Sequence, residues 1–228
     1  MAKRQLILNG YKTAETGLWT LASCKITKAS QVQTFVDVPG RYAPLDFSTV
    51  LTDGEPYYGS AGLEAVLESS EGNREERQTR IDRMVNLLDG YQAKIIHPDH
   101  PEQYMIGRVQ VVPEYNDLAH CAVRVTAVCE PWFYNEAQTQ TEINLTTATQ
   151  TVLLLNSGRL GVTPQVDVSY EATIVYGENS VTLATGTYTI PWLHIAPAGG
   201  PASPNAIAID VRGSGTVVFT RREAVLAE

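Results

Sequence analysis

Only one stretch of this sequence, residues 73–90, has the periodicity of an α helix. It opens on Asn73 with Glu76 three residues later, a spacing that lets the two residues cap each other's backbone N–H groups. Its apolar side chains recur at i, i+3, i+4 and i+7 and share one face: Ile81, Met84, Val85 and Leu88. The Asp89-Gly90 pair supplies the stop. A chain with a single helical period must build the rest of its core from strands.

The other residues up to 130 read as short runs of β strand. The composition agrees, since 23 Thr and 22 Val outnumber the 17 Lys and Arg residues. We expect strands over five ranges: Gln31–Val38, Gly62–Glu68, Tyr91–Ile96, Tyr104–Pro113 and Leu118–Cys129. One helix among five or more strands predicts an α+β domain in which the helix covers a sheet or the mouth of a barrel.

A drop in charge density divides the chain near Pro131. Residues 1–130 carry 13 bases and 17 acids, whereas residues 131–228 carry only 4 bases and 8 acids. Pro131 also ends strand pairing after the Val-rich segment that precedes it. We therefore predict two domains, residues 1–130 and residues 131–228.

The second domain shows only the two-residue period of strands. Two alternating runs, residues 166–170 and 172–176, are followed by a turn at Gly177–Ser180. Ile207–Val211 and Thr216–Thr220 are predicted to form a second hairpin around the turn Arg212–Gly215. Short strands with regular turns predict an antiparallel β-sandwich, so the fold class of the whole chain is mainly β.

Charge and cysteine content narrow the class of protein. A net charge of −8 argues against a protein that coats nucleic acid through phosphate contacts. No apolar run approaches the ~18 residues of a membrane span, and too few apolar residues precede Asn9 for a signal peptide. Cys121 and Cys129 stand at the two ends of one predicted strand, roughly 26 Å apart, so a disulfide between them is excluded. We expect these thiols and Cys24 to be reduced, buried and inert in a cytoplasmic protein.

Candidate catalytic and metal-binding residues are sparse. The densest group is His97-Pro98-Asp99-His100, where a surface turn is favoured over a metal site because no partner cluster follows. A sugar-stacking surface is conceivable, although core packing is the favoured role of its candidate residues: Trp132, Phe133, Tyr134, Trp192 and His194. Motifs of the common hydrolases, zinc proteases and phosphate-binding loops are missing from the sequence. We therefore expect neither enzymatic activity nor a metal or cofactor.

Four arginines recur every three residues along the predicted helix and form a basic ridge offset from its apolar face: Arg74, Arg77, Arg80 and Arg83. Two interpretations stay open. The ridge can be a solvated face paired with the helix's own carboxylates, or it can contact an acidic neighbouring subunit.

Several motifs, in this order, resemble the distal tail protein family of long-tailed phages. Val36–Arg41, which contains Pro39 and Gly40, precedes Leu45–Ser48. The helix ending at Gly90 is followed by Tyr104-Met105-Ile106-Gly107-Arg108, similar to the family's Y-x-x-G-R. Cys129–Tyr134, with Pro131, Trp132 and Tyr134, is similar to the segment that closes the family's N-terminal domain, and Leu155–Gly158 with Pro164 resembles the entry to its C-terminal domain.

The resemblance implies a structural role at the phage tail tip, in a virion assembled in the host cytoplasm. The N-terminal belt domains of such proteins form a hexameric ring that docks on the tail tube and on the tail-associated hub or fibre protein. DNA passes through the lumen without specific binding. The C-terminal domain is galectin-like, but the sugar ligands of true galectins are absent here, since Trp192 is followed by Leu193-His194-Ile195.

We expect the ring contact to pair strands and the arginine ridge of one subunit with acidic residues of the next. The acidic candidates are Asp37, Asp46 and Asp53. Six N-terminal domains at −4 each would make a ring of net acidic charge, along which DNA slides rather than binds. The alternative to this hub function is a carbohydrate-binding adsorption module, and the third option is an enzyme such as a glycosidase.

Overall fold

The structure is a computed structural model that describes residues 4–16, 18–50, 56–198 and 205–227. By its contacts the chain separates into two compact units. The first contains the described residues up to Ser48, Pro56–Tyr134 and the residues from Leu226 onward; the second contains Asn135–Val225 with Thr49 and Val50. The border therefore falls a few residues after Pro131. No helix in the described ranges has the length and apolar character needed to span a lipid bilayer.

The first unit is an antiparallel sheet with one helix. Its strands are β1 (Ile7–Leu8), β2 (Tyr11–Lys12), β3 (Thr20–Thr27), β4 (Phe35–Val36), β5 (Leu45–Asp46), β6 (Ala61–Ser69), β7 (Gln92–Ile96), β8 (Gln103–Asn116), β9 (Cys121–Cys129) and β10 (Trp132–Asn135), and its helix is α1 (Arg74–Leu88). The main sheet has the order β2-β1-β7-β8-β9-β6-β3, and β4 pairs only with β5. The predicted α+β arrangement with one helix is confirmed for the described residues.

Local signals set the ends of α1. The Asn73 side chain accepts a hydrogen bond from the Glu76 N–H, and the Glu76 carboxylate accepts one from the Asn73 N–H, each at 2.9 Å. The helix ends at Asp89, which is extended (φ −66°, ψ 126°) and whose N–H bonds to the Val85 carbonyl oxygen, and Gly90 follows it at φ 77°. Three of the four predicted face residues are buried, namely Ile81, Met84 and Leu88. The helix packs this face on β8.

Alternation along the strands explains which sheet face is covered. In β6 and β9 the odd-numbered residues are buried, whereas Glu64, Glu68, Arg124 and Val128 of the other face are exposed. The buried face and the apolar stripe of α1 form the core of this unit.

The second unit is entirely β in its described residues. Its strands are β11 (Thr139–Leu145), β12 (Gln150–Leu155), β13 (Gln165–Val168), β14 (Glu171–Tyr176), β15 (Asn179–Leu183), β16 (Gly186–Thr189) and β17 (Ala206–Arg221), and the last strand, β18 (Ala224–Leu226), runs across the border into the first unit. The order β12-β17-β14-β15 makes one antiparallel group and β11-β17-β13-β16 makes another. Residues of both groups join one apolar core, for example Ile174, Ile209, Val166 and Phe219.

The predicted hairpin between residues 207 and 220 is wrong. Both halves belong to the single strand β17, whose first half pairs with β12 and β14 and whose second half pairs with β11 and β13. Gly213 (φ 148°) and Gly215 (φ 84°) carry the strand from one group to the other. A Cβ at Gly213 would collide with the Glu171 carbonyl oxygen of β14. The glycines therefore permit a close strand crossing rather than a reversal.

The antiparallel β architecture of the second unit is confirmed, but some strands escaped the sequence patterns. Strands β11, β12 and β16 were not predicted, and neither was β3 in the first unit. Gln31–Val38 was predicted as one strand, yet only Phe35–Val36 is paired within a strand, and Gln31 makes an isolated bridge to Tyr58. The galectin-like comparison stays a prediction.

Candidate functional site

The four arginines of the predicted ridge do not share one environment. Arg74 and Arg83 are exposed and Arg80 is half-buried, donating to the Glu71 carbonyl oxygen. Arg77 is only 1% exposed. The prediction of a continuous four-residue ridge is therefore wrong at Arg77. The reason is its place on the helix, four residues before the buried Ile81 and so on the covered face.

Arg77 holds the tip of the β8–β9 hairpin. Its guanidinium donates to the carbonyl oxygens of Gly72 (2.6 Å), Asp117 (2.8 Å) and Leu118 (3.1 Å). The turn itself is tight, because the Asp117 carboxylate accepts from the N–H groups of Ala119 and His120 at 2.8 and 2.7 Å. These two hydrogen bonds lower the pKa of Asp117. The helix and the turn together hold Leu118 in place at 91% exposure.

The acidic candidates lie on a different surface. Asp37 and Asp46 are both exposed, on the segment 31–48, whereas Asp53 lies outside the described residues. The Asp46 carboxylate accepts a 2.8 Å hydrogen bond from the Ser48 N–H. Hydrogen bonds from Ser48 lower the pKa of Asp46, which keeps it charged. The described structure brings neither aspartate together with the arginines of α1 within one chain.

We call residues 31–48 the arm, because β4 and β5 pair only with each other. Pro39 and Gly40 form its turn, with Gly40 at φ 86° and the Arg41 N–H bonded to the Val38 carbonyl oxygen at 3.1 Å. Val38 and Leu45 of the arm are half-buried, but five other large apolar side chains are between 41% and fully exposed: Val32, Phe35, Val36, Tyr42 and Phe47. An isolated two-stranded pair is only marginally stable in water, and an exposed apolar group of this kind marks an interaction surface.

The Y-x-x-G-R motif has a packing explanation. A Cβ at Gly107 would lie 2.5 Å from the Cys129 sulfur and 3.0 Å from the Val128 carbonyl oxygen, so only glycine fits opposite Cys129. Arg108 donates to the Gly90 carbonyl oxygen at 2.5 Å and so connects β8 to the segment that follows α1. These residues join the helix and the two central strands of the unit.

The motif tyrosines pack on each other. The Tyr104 and Tyr134 rings are stacked at 5.5 Å, and the Lys94 ammonium lies 4.4 Å from the Tyr104 ring centre. The Tyr134 hydroxyl donates to the Glu130 carboxylate at 2.5 Å. Burial, followed by this hydrogen bond, raises the pKa of Tyr134.

The remaining motif residues also make structural contacts. The Trp132 ring meets the Tyr58 ring edge-on at 5.6 Å. The Pro131 carbonyl oxygen accepts a hydrogen bond from the Ala227 N–H at 2.8 Å. Trp192, another candidate for sugar stacking, packs against the core of the second unit, as the favoured interpretation predicts, whereas the candidate His194 is exposed.

The histidine loop is a turn, as the sequence predicts, with Asp99 exposed and the His100 N–H bonded to the His97 carbonyl oxygen at 3.0 Å, but His97 itself is buried. His97 is 4% exposed, its Nδ1 accepts from the Asp99 N–H at 3.2 Å, and its buried Nε2 has no hydrogen-bond partner among the described residues. Burial lowers the pKa of His97. Asp99 pairs with Arg4 at 2.7 Å, and the His100 ring packs 4.7 Å from Phe133. The described residues contain no group of three or more His, Cys, Asp or Glu arranged to hold a metal ion.

The three cysteines are free thiols. Cys121 and Cys129 are buried at the two ends of β9, and Cys24 is half-buried on β3. Burial raises the pKa of Cys24 and of Cys129 to about 11, and it also raises that of Cys121. Thiols held in the protonated form make poor nucleophiles and poor metal ligands.

Comparisons with known proteins place this fold. No family model and no curated protein matches the sequence. A crystal structure of the SPP1 Dit (gp 19.1) protein, called a paradigm of the hub adsorption apparatus in phages that infect Gram-positive bacteria, is similar with a TM-score of 0.65. It is 14% identical, and the match covers 97% of this chain and 99% of the SPP1 chain. A designed double-stranded β-helix matches 39% of the chain at a TM-score of only 0.24, which carries no argument. The resemblance to the distal tail protein family, first found in the motifs, is thus confirmed at the level of the fold.

Proposed function

We propose that this protein is a structural component of the tail of a long-tailed phage, the hub at the tail tip. It forms a hexameric ring that joins the tail tube to the tail-associated hub or fibre protein and to the adsorption proteins. Residues 1–130 form the belt of the ring, and residues 131–228 form a separate galectin-like domain. The protein acts by binding other tail proteins and needs no cofactor.

One observation carries this proposal. The fold similarity to SPP1 Dit covers nearly the full length of both chains, so both units of this protein have their counterparts in that hub protein. The exposed apolar arm adds independent support, because a soluble monomer rarely leaves such side chains without a partner.

A ring requires two different surfaces of the same subunit to meet repeatedly until the circle closes. The arm offers one such surface, with the exposed carboxylates Asp37 and Asp46 beside its apolar residues. The exposed arginines of α1, Arg74 and Arg83, offer a surface of opposite charge. We therefore assign the belt contact to the arm of one subunit against α1 of the next. Asp53 remains a candidate for the same contact.

Light scattering at high protein concentration, together with electron micrographs, tests the ring. We expect hexamers, alone or in the presence of tail-tube protein. The double variant Arg74→Glu/Arg83→Glu should lose them, whereas Arg212→Glu, an exposed arginine of the second unit, should retain them. Monomers under all conditions, with no ring even beside tail-tube protein, would refute the hub function, and retention of such monomers on cell-wall polysaccharide would favour an adsorption module.

A further inference from the structure

The tip of the β8–β9 hairpin has the properties of a rigid docking point. Leu118 is 91% exposed, although the backbone on both sides of it is held in place. Arg77, a buried cation, donates to the carbonyl oxygens of Asp117 and Leu118. Ordering a loop before it binds removes part of the entropy cost of association. An apolar side chain that is exposed and held rigidly can therefore bind in a cavity of another protein at a reduced entropy cost.

A surface cavity that can accept an apolar side chain lies on the same unit. A surface cavity of about 400 Å³ opens where α1 ends and β8 and β9 run side by side. Its lining residues are Asp89, Gly90, Arg108, Val109, Gln110, Thr126, Ala127 and Val128. Val128 is 66% exposed there, an unusual state for a valine in the middle of a sheet. This volume is at the small end of the range for ligand pockets and suffices for one branched aliphatic side chain and its neighbours.

The same chain cannot fill its own cavity. Leu118 lies eight residues beyond Gln110 along the hairpin, a separation of about 26 Å at the rise of a β strand. A second copy can fill it, because a contact between two different patches of identical subunits is the kind that closes a ring.

The cavity lining carries one carboxylate, Asp89, and one cation, Arg108. The Asp89 Oδ1 accepts a hydrogen bond from the Val111 N–H at 2.8 Å, so Arg108 is the charged group of the lining that suits an incoming carboxylate. The Asp117 carboxylate lies beside Leu118, and the Arg108 guanidinium lines the cavity. Arg108 uses one of its five N–H donors in the hydrogen bond to Gly90.

We propose that Leu118 of one copy inserts into the Arg108–Val128 cavity of the next copy, with Asp117 pairing to Arg108 across the contact. This inference rests on the proposed ring and names a second contact within it, separate from the arm and α1. Arg77 is then a positioning residue, because it holds the inserted side chain in place from within its own subunit.

Disulfide trapping tests the contact directly. A Leu118→Cys protein mixed with a Gln110→Cys protein should form a covalent heterodimer on mild oxidation, and a chain carrying both substitutions should form a ladder of covalent oligomers. The matched control replaces Leu153, which is 57% exposed in the second unit, by cysteine and pairs it with Gln110→Cys. This control should give no ladder. The native thiols stay slow to react because they are protonated and at least half-buried.

Two further variants measure the contributions of the Leu118 side chain and of the Asp117 charge. Leu118→Ala should raise the dissociation constant of the oligomer by roughly 10- to 100-fold, since a leucine side chain is no longer buried, whereas Leu153→Ala should leave it unchanged. Asp117→Asn keeps the oxygen that accepts from Ala119 and His120 but removes the charge. It should weaken association and reduce its dependence on salt.

The outcomes separate this inference from the proposed function. Hexamers that form without the disulfide ladder of the Leu118→Cys/Gln110→Cys chain, and that Leu118→Ala does not weaken, would overturn the inference and leave the hub function in place. Absence of any oligomer, with or without tail-tube protein, would overturn both. The ladder together with the loss of association in Leu118→Ala would establish the contact.

Discussion

Replacing Gly107 by alanine should destabilise the first unit, because the added methyl group has no space. The new Cβ would lie 2.5 Å from the Cys129 sulfur, 3.0 Å from the Val128 carbonyl oxygen and 3.1 Å from the Cys129 Cα. Ordinary van der Waals contact begins near 3.4 Å. Strands β8 and β9 must therefore separate locally by about 1 Å, or the Cys129 side chain must rotate into neighbouring core atoms.

The magnitude follows from the cost of overpacking a well-packed core, which is about 1–3 kcal/mol for one or two added carbons. Because two of the three close contacts are backbone atoms, we expect about 2–3 kcal/mol, toward the top of that range. Replacing Cys129 by alanine removes the sulfur but leaves the backbone contacts. The double variant should therefore recover about 1 kcal/mol relative to the sum of the single variants, as expected for residues in direct contact.

Urea unfolding followed by circular dichroism measures these free energies, with the midpoint compared at constant m. Gly59→Ala is the matched control, since a Cβ there finds its nearest neighbours at 3.7 and 3.9 Å. We expect that control to lie within about 0.5 kcal/mol of the parent. A Gly107→Ala protein as stable as the Gly59→Ala protein, or additivity with Cys129→Ala, would refute the packing argument.

Three further predictions concern buried polar groups. Arg77→Met should lower the free energy of unfolding by about 2–4 kcal/mol, because the carbonyl oxygens that accept from Arg77 lose their donor. It should also increase hydrogen exchange at the β8–β9 tip, and unchanged protection of the tip would contradict the positioning role of Arg77. The His97 pKa is lowered by burial, partly offset by the Asp99 charge, so the folded state binds fewer protons than the unfolded chain below the usual pKa of about 6.5. The contribution of His97 to stability should therefore be fully present above that pH and should fall as the pH drops toward the folded pKa. In a series of urea midpoints measured against pH, His97→Phe should flatten this part of the curve. An equally steep curve in that variant would show that His97 is not the cause. Cys24 and Cys129, with pKa values raised to about 11, should react slowly with iodoacetamide at pH 8 in the folded protein. After denaturation without reductant, all three cysteines should be alkylated. Fewer than three alkylated cysteines would reveal a disulfide.

Features set by neighbouring residues could be predicted from the sequence. The helix at residues 74–88 is one, because its capping box, apolar stripe and terminal glycine all act within one or two turns. Strands with a regular alternation, such as β9 and β14, are another. The order of the motifs also led to the correct fold, because each motif marks a local packing requirement, such as the glycine opposite Cys129.

Strands that lack a clean alternation were missed for a physical reason. The alternation of β3 is broken by a register shift between Leu21 and Ser23, and β12 keeps Leu153 and Leu155 exposed, so neither shows a regular two-residue period. Such segments become strands because a partner strand offers a complete row of hydrogen-bonding groups. That partner is distant in the sequence, as for β12 and the first half of β17.

By itself, the sequence determined that this protein is mainly β with one capped helix, because these properties depend on contacts between residues close in the chain. Only the tertiary structure decided the roles of Gly213 and Arg77. The Gly-Ser-Gly segment has the composition of a turn, yet it continues one strand because β14 lies directly against Gly213. Arg77 has the spacing of a surface residue, yet it is buried because the β8–β9 tip supplies carbonyl oxygens about forty residues away. Contacts over such distances leave no periodic trace in a single sequence, since either partner alone is compatible with several environments.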